Sequence, residues 1–209
     1  MSTSNRVAIL LDGGYVKKQF YSQNRRQITA TDVAAIPVAI MQHGGTAGLT
    51  LYRVFYYDAD PYTGTATNPL SGQKIQFSKT TQAVSNQSLI SQIEHLSNFA
   101  VRRGTLVCHG WELGSQATRN LLKRSVTRQV TSTDLVPKLV QKGVDMRIGL
   151  DIATLALKRQ VGTIVLVTGD SDMIPAMKCA RREGVRVYLD TMGNAGVRDE
   201  LKVHADLML

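Results

Sequence analysis

Four aspartates stand where the chain leaves an apolar run or opens a helix, and a fifth, Asp151, lies within one of those helices. Asp12 closes the run Val7–Leu11 and begins Asp12-Gly13-Gly14. Asp170 and Asp172 follow the run Thr163–Val167 inside Gly169-Asp170-Ser171-Asp172, and Asp145 opens a stretch with Ile148, Ile152, Leu155 and Ala156 on one helical face. Asp151 lies six residues after Asp145, roughly 120° around a helix and at the edge of that apolar stripe. A carboxylate directly after a buried strand needs a partner to offset its desolvation. Carboxylates that converge without matching Arg or Lys repel one another unless a cation intervenes, and donors made only of oxygen favour Mg²⁺ or Mn²⁺ over zinc. The chemistry such a site would suit is hydrolysis of a phosphodiester by metal-activated water. Asp12 and Asp170 are expected to hold a first cation, with Asp145 and Asp172 completing that site or a second one. Asp145 and Asp172 also suit plain helix N-terminal positions, with Pro175 fitting a first turn. Asp151 suits either an outer ligand or a salt bridge on the helix flank.

The cations point to a polyanionic partner. Lys and Arg number 25 against 16 acids, a net charge of +9 and a pI near 9.8, which favours nucleic acid before membrane. Between Val101 and Val130 stand Arg102, Arg103, Arg119, Lys123, Arg124 and Arg128 against the single acid Glu112. If Ala117–Gln129 is helical, Arg119, Lys123 and Arg124 share one side. With Arg128 they would form a strip able to track a phosphate backbone, or else a solvated face. Lys142 reads as a phosphate contact close to the acids or else a solvated lysine, Trp111 as a base-stacking or packing residue, and the histidines show no triad or metal spacing. Cys108 and Cys179 lie far apart, match no zinc or redox spacing, and are read as reduced thiols.

The elements that must position these residues alternate. The unbroken apolar run Val7–Leu11 reads as a strand buried on both faces, Thr163–Val167 as a strand of consecutive β-branched and aliphatic residues, and Val185–Leu189 as another buried strand. Leu49–Tyr57 is a further strand. Helices are expected from Tyr15 to about Tyr21, after Thr31-Asp32 with Pro37 interrupting, over Ser85–Phe99, Asp145–Arg159 and Asp172–Glu183, and over Val197–Leu209 at the end. Pro61–Gln76 reads as an exposed loop and Gly104–Cys108 as a strand. The fold class this defines is α/β, a single domain over 1–209 with a central, mostly parallel sheet, helices on both faces, and an elaborated basic middle at about 60–135. Ligands in such sheets bind beyond the carboxyl ends of the strands, which assigns the aspartates to one rim. The N-terminus is too short in apolar residues for a signal peptide or membrane span, so a cytoplasmic protein is expected, and a homo-oligomer is left open.

The order Leu10-Leu11-Asp12-Gly13-Gly14-Tyr15, Tyr56-Tyr57-Asp58, Lys142-Gly143-Val144-Asp145 with Asp151, and Thr168-Gly169-Asp170-Ser171-Asp172 resembles the NYN-domain family, LabA-like branch. Phe99-Ala100-Val101-Arg102-Arg103-Gly104 resembles that branch's segment before its middle strand. The resemblance implies a PIN-like fold, a Mg²⁺- or Mn²⁺-dependent ribonuclease acting on single-stranded RNA, and metal carried by Asp12, Asp145, Asp170 and Asp172 with Asp151 close by. Tyr15 stands where many NYN sequences have Asn, Thr168 where many have Ser, and Met173 where many have Phe. Three other readings compete. A haloacid-dehalogenase-like phosphatase would need an Asp where Gly14 stands, and a Rossmann nucleotide site would need a spacing Gly13-Gly14 lacks. A non-catalytic RNA- or protein-binding module would keep the acids without the activity.

Overall fold

Five consecutive apolar side chains, Val7 to Leu11, are all fully buried. Successive residues of a strand point to opposite faces, so such a run requires a sheet covered on both sides. The structure is a computed structural model that describes residues 5–123 and 127–209. In it β1 (Arg6–Asp12) pairs in parallel with β2 (Thr50–Asp60) on one flank and with β7 (Thr163–Val167) on the other. β7 continues in parallel to β8 (Arg186–Asp190), and β8 to β9 (Leu207–Met208). With β5 (Phe99–Leu113) and β6 (Leu135–Lys142), which pair antiparallel, the seven-stranded order is β6-β5-β2-β1-β7-β8-β9. This is the expected α/β class with a mostly parallel sheet.

Odd-numbered Val7, Ile9 and Leu11 pack with Val16 of α1 (Gly13–Asn24), Val33 and Ile40 of α2 (Ala30–Gln42), and Ile93 of α3 (Thr81–Glu94). The even-numbered Ala8 and Leu10 face the other way and are equally buried. Also sunk in the core are Ile148, Ile152 and Leu155 of α5 (Val144–Leu157), and Met177 and Ala180 of α6 (Ile174–Arg182). The parallel connections therefore bring the carboxyl ends of β1, β7 and β8 to one edge.

The chain gathers into two compact units. The first comprises Met1–Asp58, Ser88–Gly104 and Gly143–Leu209; the second comprises Ala59–Gln87 and Thr105–Lys142. The second unit holds the small antiparallel pair β3 (Thr65–Thr67) and β4 (Lys74–Gln76), the β5–β6 pairing, and α4 (Ser115–Leu121). Two polar clasps order its loops. Asn68 donates to Ser132 O at 3.0 Å and accepts from the N–H groups of Leu70 and Ser71. Arg128 grips Asp134 through two bonds of 2.6 and 2.7 Å, and the N–H and hydroxyl of Thr131 donate to the same carboxylate.

Several sequence expectations are corrected here. The helix over Ala117–Gln129 stops at Leu121, because Leu122 is 78% exposed and no apolar spacing beyond it offers a face to bury. Arg119 is thus helical, Lys123 lies past the helix end, and Arg128 is committed to Asp134, so no single helical face carries the strip. Arg124 lies outside the described residues. The helix expected after Thr31 starts at Ala30 under a capping box of Thr29 and Asp32. It runs through Pro37, where the packing of Val33 and Ile40 outweighs the lost hydrogen bond. The closing helix is a single turn, α7 (Asp199–Lys202), followed by β9. β6 went unread because Pro137 interrupts it; the strand tolerates proline because it lies at the sheet edge.

Candidate active site

Asp12 ends β1 and caps α1. Its Oδ1 accepts the Tyr15 N–H at 3.1 Å and its Oδ2 accepts the Thr168 hydroxyl at 2.9 Å. Thr168 Oγ in turn accepts the Asp170 N–H at 3.2 Å, and Asp170 Oδ1 accepts the Asp172 N–H at 2.9 Å. One chain of hydrogen bonds therefore links the end of β1 to the loop after β7. It follows from the register: Leu11 sits opposite Val167, so each motif begins at the same level of the sheet. Gly13 is required here, since a Cβ at that position would come within 2.5 Å of Tyr57 O and 2.8 Å of the Tyr56 ring.

Burial pushes the Asp12 carboxyl above its ordinary value. The bonds from Tyr15 and Thr168 pull it back, and the charges of Asp145 and Asp170 raise it further. Asp145, at the start of α5, is also raised, first by partial desolvation and then by Asp170 and Asp172. The four aspartates Asp12, Asp145, Asp170 and Asp172 thus lie in one repulsive field, and no cation pairs with Asp12 among the described residues. They do not form a closed cage. Among the described residues no three acidic, imidazole or thiol side chains are gathered closely enough to hold a metal ion.

Asp151 is engaged elsewhere. It accepts the Tyr57 hydroxyl at 2.8 Å and the Arg102 Nε–H at 2.9 Å, and Arg102 also lies over the Phe55 ring. That pairing corresponds to the flank salt bridge rather than to the field around Asp12. Asp58, near the end of β2, is buried against Lys17 at 2.5 Å and within 3.3 Å of the Tyr56 hydroxyl.

Asp12, Asp170 and Asp172 line a cleft of about 600 Å³ together with Tyr15, Lys18 and Arg198. Asp145 is not among its lining residues. Tyr15 spans the cleft: its hydroxyl donates to Thr191 O at 2.7 Å and accepts from Asn194 Nδ2 at 3.4 Å. Its ring lies so close to Gly169 that a Cβ there would approach Cε2 to 2.5 Å. Sequence reasoning missed Lys18 and Arg198. Lys18 carries a signal in hindsight, falling one helical turn after Tyr15, whereas Arg198 sits in a loop with no pattern to mark it. Lys142, Arg119, Lys123 and Arg128 all belong to the second unit, and Lys142 is exposed at the end of β6.

A mostly parallel α/β sheet with aspartates beyond its carboxyl ends is consistent with a PIN-like fold. Residues 53–209 match the NYN domain, and the chain belongs to that family, whose members are in general nucleases of the PIN-like superfamily acting on nucleic acid. The matched span includes Asp145, Asp151, Asp170 and Asp172; Asp12 precedes it. A curated relative, the uncharacterized protein y4oD of Sinorhizobium fredii (strain NBRC 101917 / NGR234), is 43% identical over 49 residues, which is 23% of each chain. A crystal structure of a protein of unknown function, VPA0982 from Vibrio parahaemolyticus RIMD 2210633, superposes with a TM-score of 0.53 at 15% identity. The match covers 100% of this chain and 94% of that one, a likeness of fold. Among the described residues no helix is long and apolar enough to cross a membrane.

Proposed function

We propose that the chain is a Mg²⁺- or Mn²⁺-dependent ribonuclease of the LabA-like NYN branch that hydrolyses phosphodiester bonds of single-stranded RNA. The observation that carries the reading is the shared repulsive field of Asp12, Asp145, Asp170 and Asp172 at the carboxyl ends of β1 and β7. The donor set fits a hard divalent cation: every candidate ligand atom is a carboxylate oxygen, and among the described residues no cation forms an ion pair with these four charges. Asp12, Asp170 and Asp172, with Asp145 beside them, would hold the ion. A bound cation supplies a water of lowered pKa and neutralises charge developing on the phosphoryl oxygens.

The chain's own residues do the rest. Thr168 and the Tyr15 N–H fix the Asp12 carboxylate in orientation, and the Asp172 N–H does the same for Asp170. Lys18 and Arg198, lining the same cleft, attract the phosphate backbone and offset the acids' repulsion of it. Arg102 and Tyr57 hold Asp151, and with it the flank of α5 from which Asp145 projects. Arg119, Lys123, Arg124 and Lys142 would add phosphate contacts from the second unit.

A second reading, a non-catalytic RNA-binding module, is favoured by the open spacing of the acids. One assay separates the two. Purified protein is incubated with labelled single-stranded RNA, and in parallel with a small phosphate monoester, in Mg²⁺, in Mn²⁺ and in EDTA. RNA cleavage in either metal, none in EDTA and no monoester hydrolysis is the expected result. Cleavage that survives exhaustive chelation would overturn the metal mechanism, and RNA binding without cleavage would favour the binding module.

A further inference from the structure

The first unit has a second cleft, of about 610 Å³, walled by Lys178, Arg181, Arg182, Arg186, His204 and Asp206. It opens at the amino ends of the strands. Arg186 is the first residue of β8 and stands opposite Thr163, the first of β7. The carboxylate cleft lies beyond the other end, and the four steps from Arg186 to Asp190 alone span about 13 Å. The two clefts are therefore separate surfaces of one rigid sheet.

Its charge is one-sided. The single acid, Asp206, is already used: one oxygen pairs with Arg181 at 2.9 Å and the other accepts the Val187 N–H at 2.8 Å. Lys178, Arg182 and Arg186 are exposed and have no carboxylate partner among the described residues. Lys178 and Arg182 are four residues apart on α6 and so share a side. Cations in a last helical turn complement the helix dipole, which accounts for Arg181 and Arg182. It does not account for Arg186, which comes from a strand, nor for the concave arrangement that turns these groups toward one space.

We propose that this cleft is a second phosphate-binding surface, which holds the backbone of a single-stranded RNA at the amino-end edge of the sheet, away from the carboxylates. Guanidinium forks and an ammonium spaced along a groove match successive phosphodiesters and read no base. The proposal rests on RNA as the partner and not on hydrolysis. A long strand would be anchored here while another part of it lies in the acidic cleft; a short one reaches only one of the two.

The test measures binding of a labelled 20-nucleotide RNA by fluorescence anisotropy over a range of salt, without divalent ions, in an Asp170→Asn protein that cannot consume the probe. The comparison protein adds Lys178→Ala, Arg182→Ala and Arg186→Ala. Three lost phosphate contacts should weaken binding at least about tenfold at low salt and flatten the slope of log K against log salt by about 2. Binding of a tetranucleotide should fall as well, because without divalent ions the aspartates repel it and this cleft is its stronger site, and the melting temperature should match the parent's. Should the triple variant fold poorly, Arg186→Glu alone must still flatten the slope. An unchanged slope in a folded variant, tetranucleotide binding that the triple substitution leaves intact, or a parent that does not bind RNA would overturn the proposal. A flattened slope in a protein that never cleaves would leave this surface standing while the ribonuclease reading fell. Cleavage with an unchanged slope would do the reverse.

Discussion

Thr168 joins two acidic motifs through one hydroxyl, donating to Asp12 and accepting from the Asp170 N–H. A serine could make the same bonds, so the chain's departure from the commoner residue leaves this link intact. The Asp170 charge reaches two other carboxyls of the site, raising the pKa of both Asp12 and Asp145. Asp170→Asn keeps the oxygen that accepts the Asp172 N–H and removes only the charge. Cleavage is expected to fall by about 100-fold or more, a loss of about 2.7 kcal/mol of transition-state stabilisation. The melting temperature should stay level or rise, because one source of repulsion among crowded carboxylates disappears. Kinetics and a thermal melt on the same preparation check both halves. An active variant would remove Asp170 from the machinery, and an unfolded one would make its role structural.

At the scale of elements, α1 and the loop after β7 are locked by the Tyr15 ring lying on Gly169. Gly169→Ala forces a methyl against that ring, and the ring cannot swing freely because its hydroxyl is bonded to Thr191 O. The expected destabilisation is about 1–3 kcal/mol by denaturant melt. In a Tyr15→Ala background the same substitution should be milder, with an interaction energy of at least about 0.5 kcal/mol across the double-mutant cycle. Additive effects would mean the two residues do not meet as described. The two elements that carry the acids, β1 and β7, were legible in the sequence because five-residue apolar runs can be buried only in a covered sheet. Asp12, Asp170 and Asp172 were legible with them, as residues placed at strand ends. The second unit was legible only at Gly104–Cys108, which lies in β5; β6 is broken by Pro137 and none of its residues is fully buried, so no hydrophobic period marks it. The partners of Asp151 were illegible for another reason. Tyr57 and Arg102 lie 94 and 49 residues away in the chain, and only the folded sheet brings them together.

On the scale of the whole molecule, a net charge of +9 coexists with a locally acidic cleft. The positive field draws a polyanion in, while the aspartates repel it unless they are neutralised. That tension makes cation binding a stability question as well as a catalytic one. The folded acidic cluster should bind Mn²⁺ far better than the dispersed acids of the unfolded chain, so metal should stabilise the native state. At 100 times the dissociation constant the gain is about 2.7 kcal/mol, which for a chain of this size raises the melting temperature by about 5–10 °C. Mn²⁺ should act at lower concentration than Mg²⁺ by the usual affinity order. Ca²⁺ accepts the same oxygens at longer, looser distances, so it should stabilise the fold while blocking cleavage. Because the chain forms two compact units, a melt need not be two-state, and the metal-dependent rise should appear in the transition of the unit that holds Asp12, Asp145, Asp170 and Asp172. Calorimetry with and without metal checks this, with the Asp170→Asn protein as control, whose transition should move less. A melt indifferent to all three ions would leave the carboxylates without a cation and the nuclease mechanism without its water.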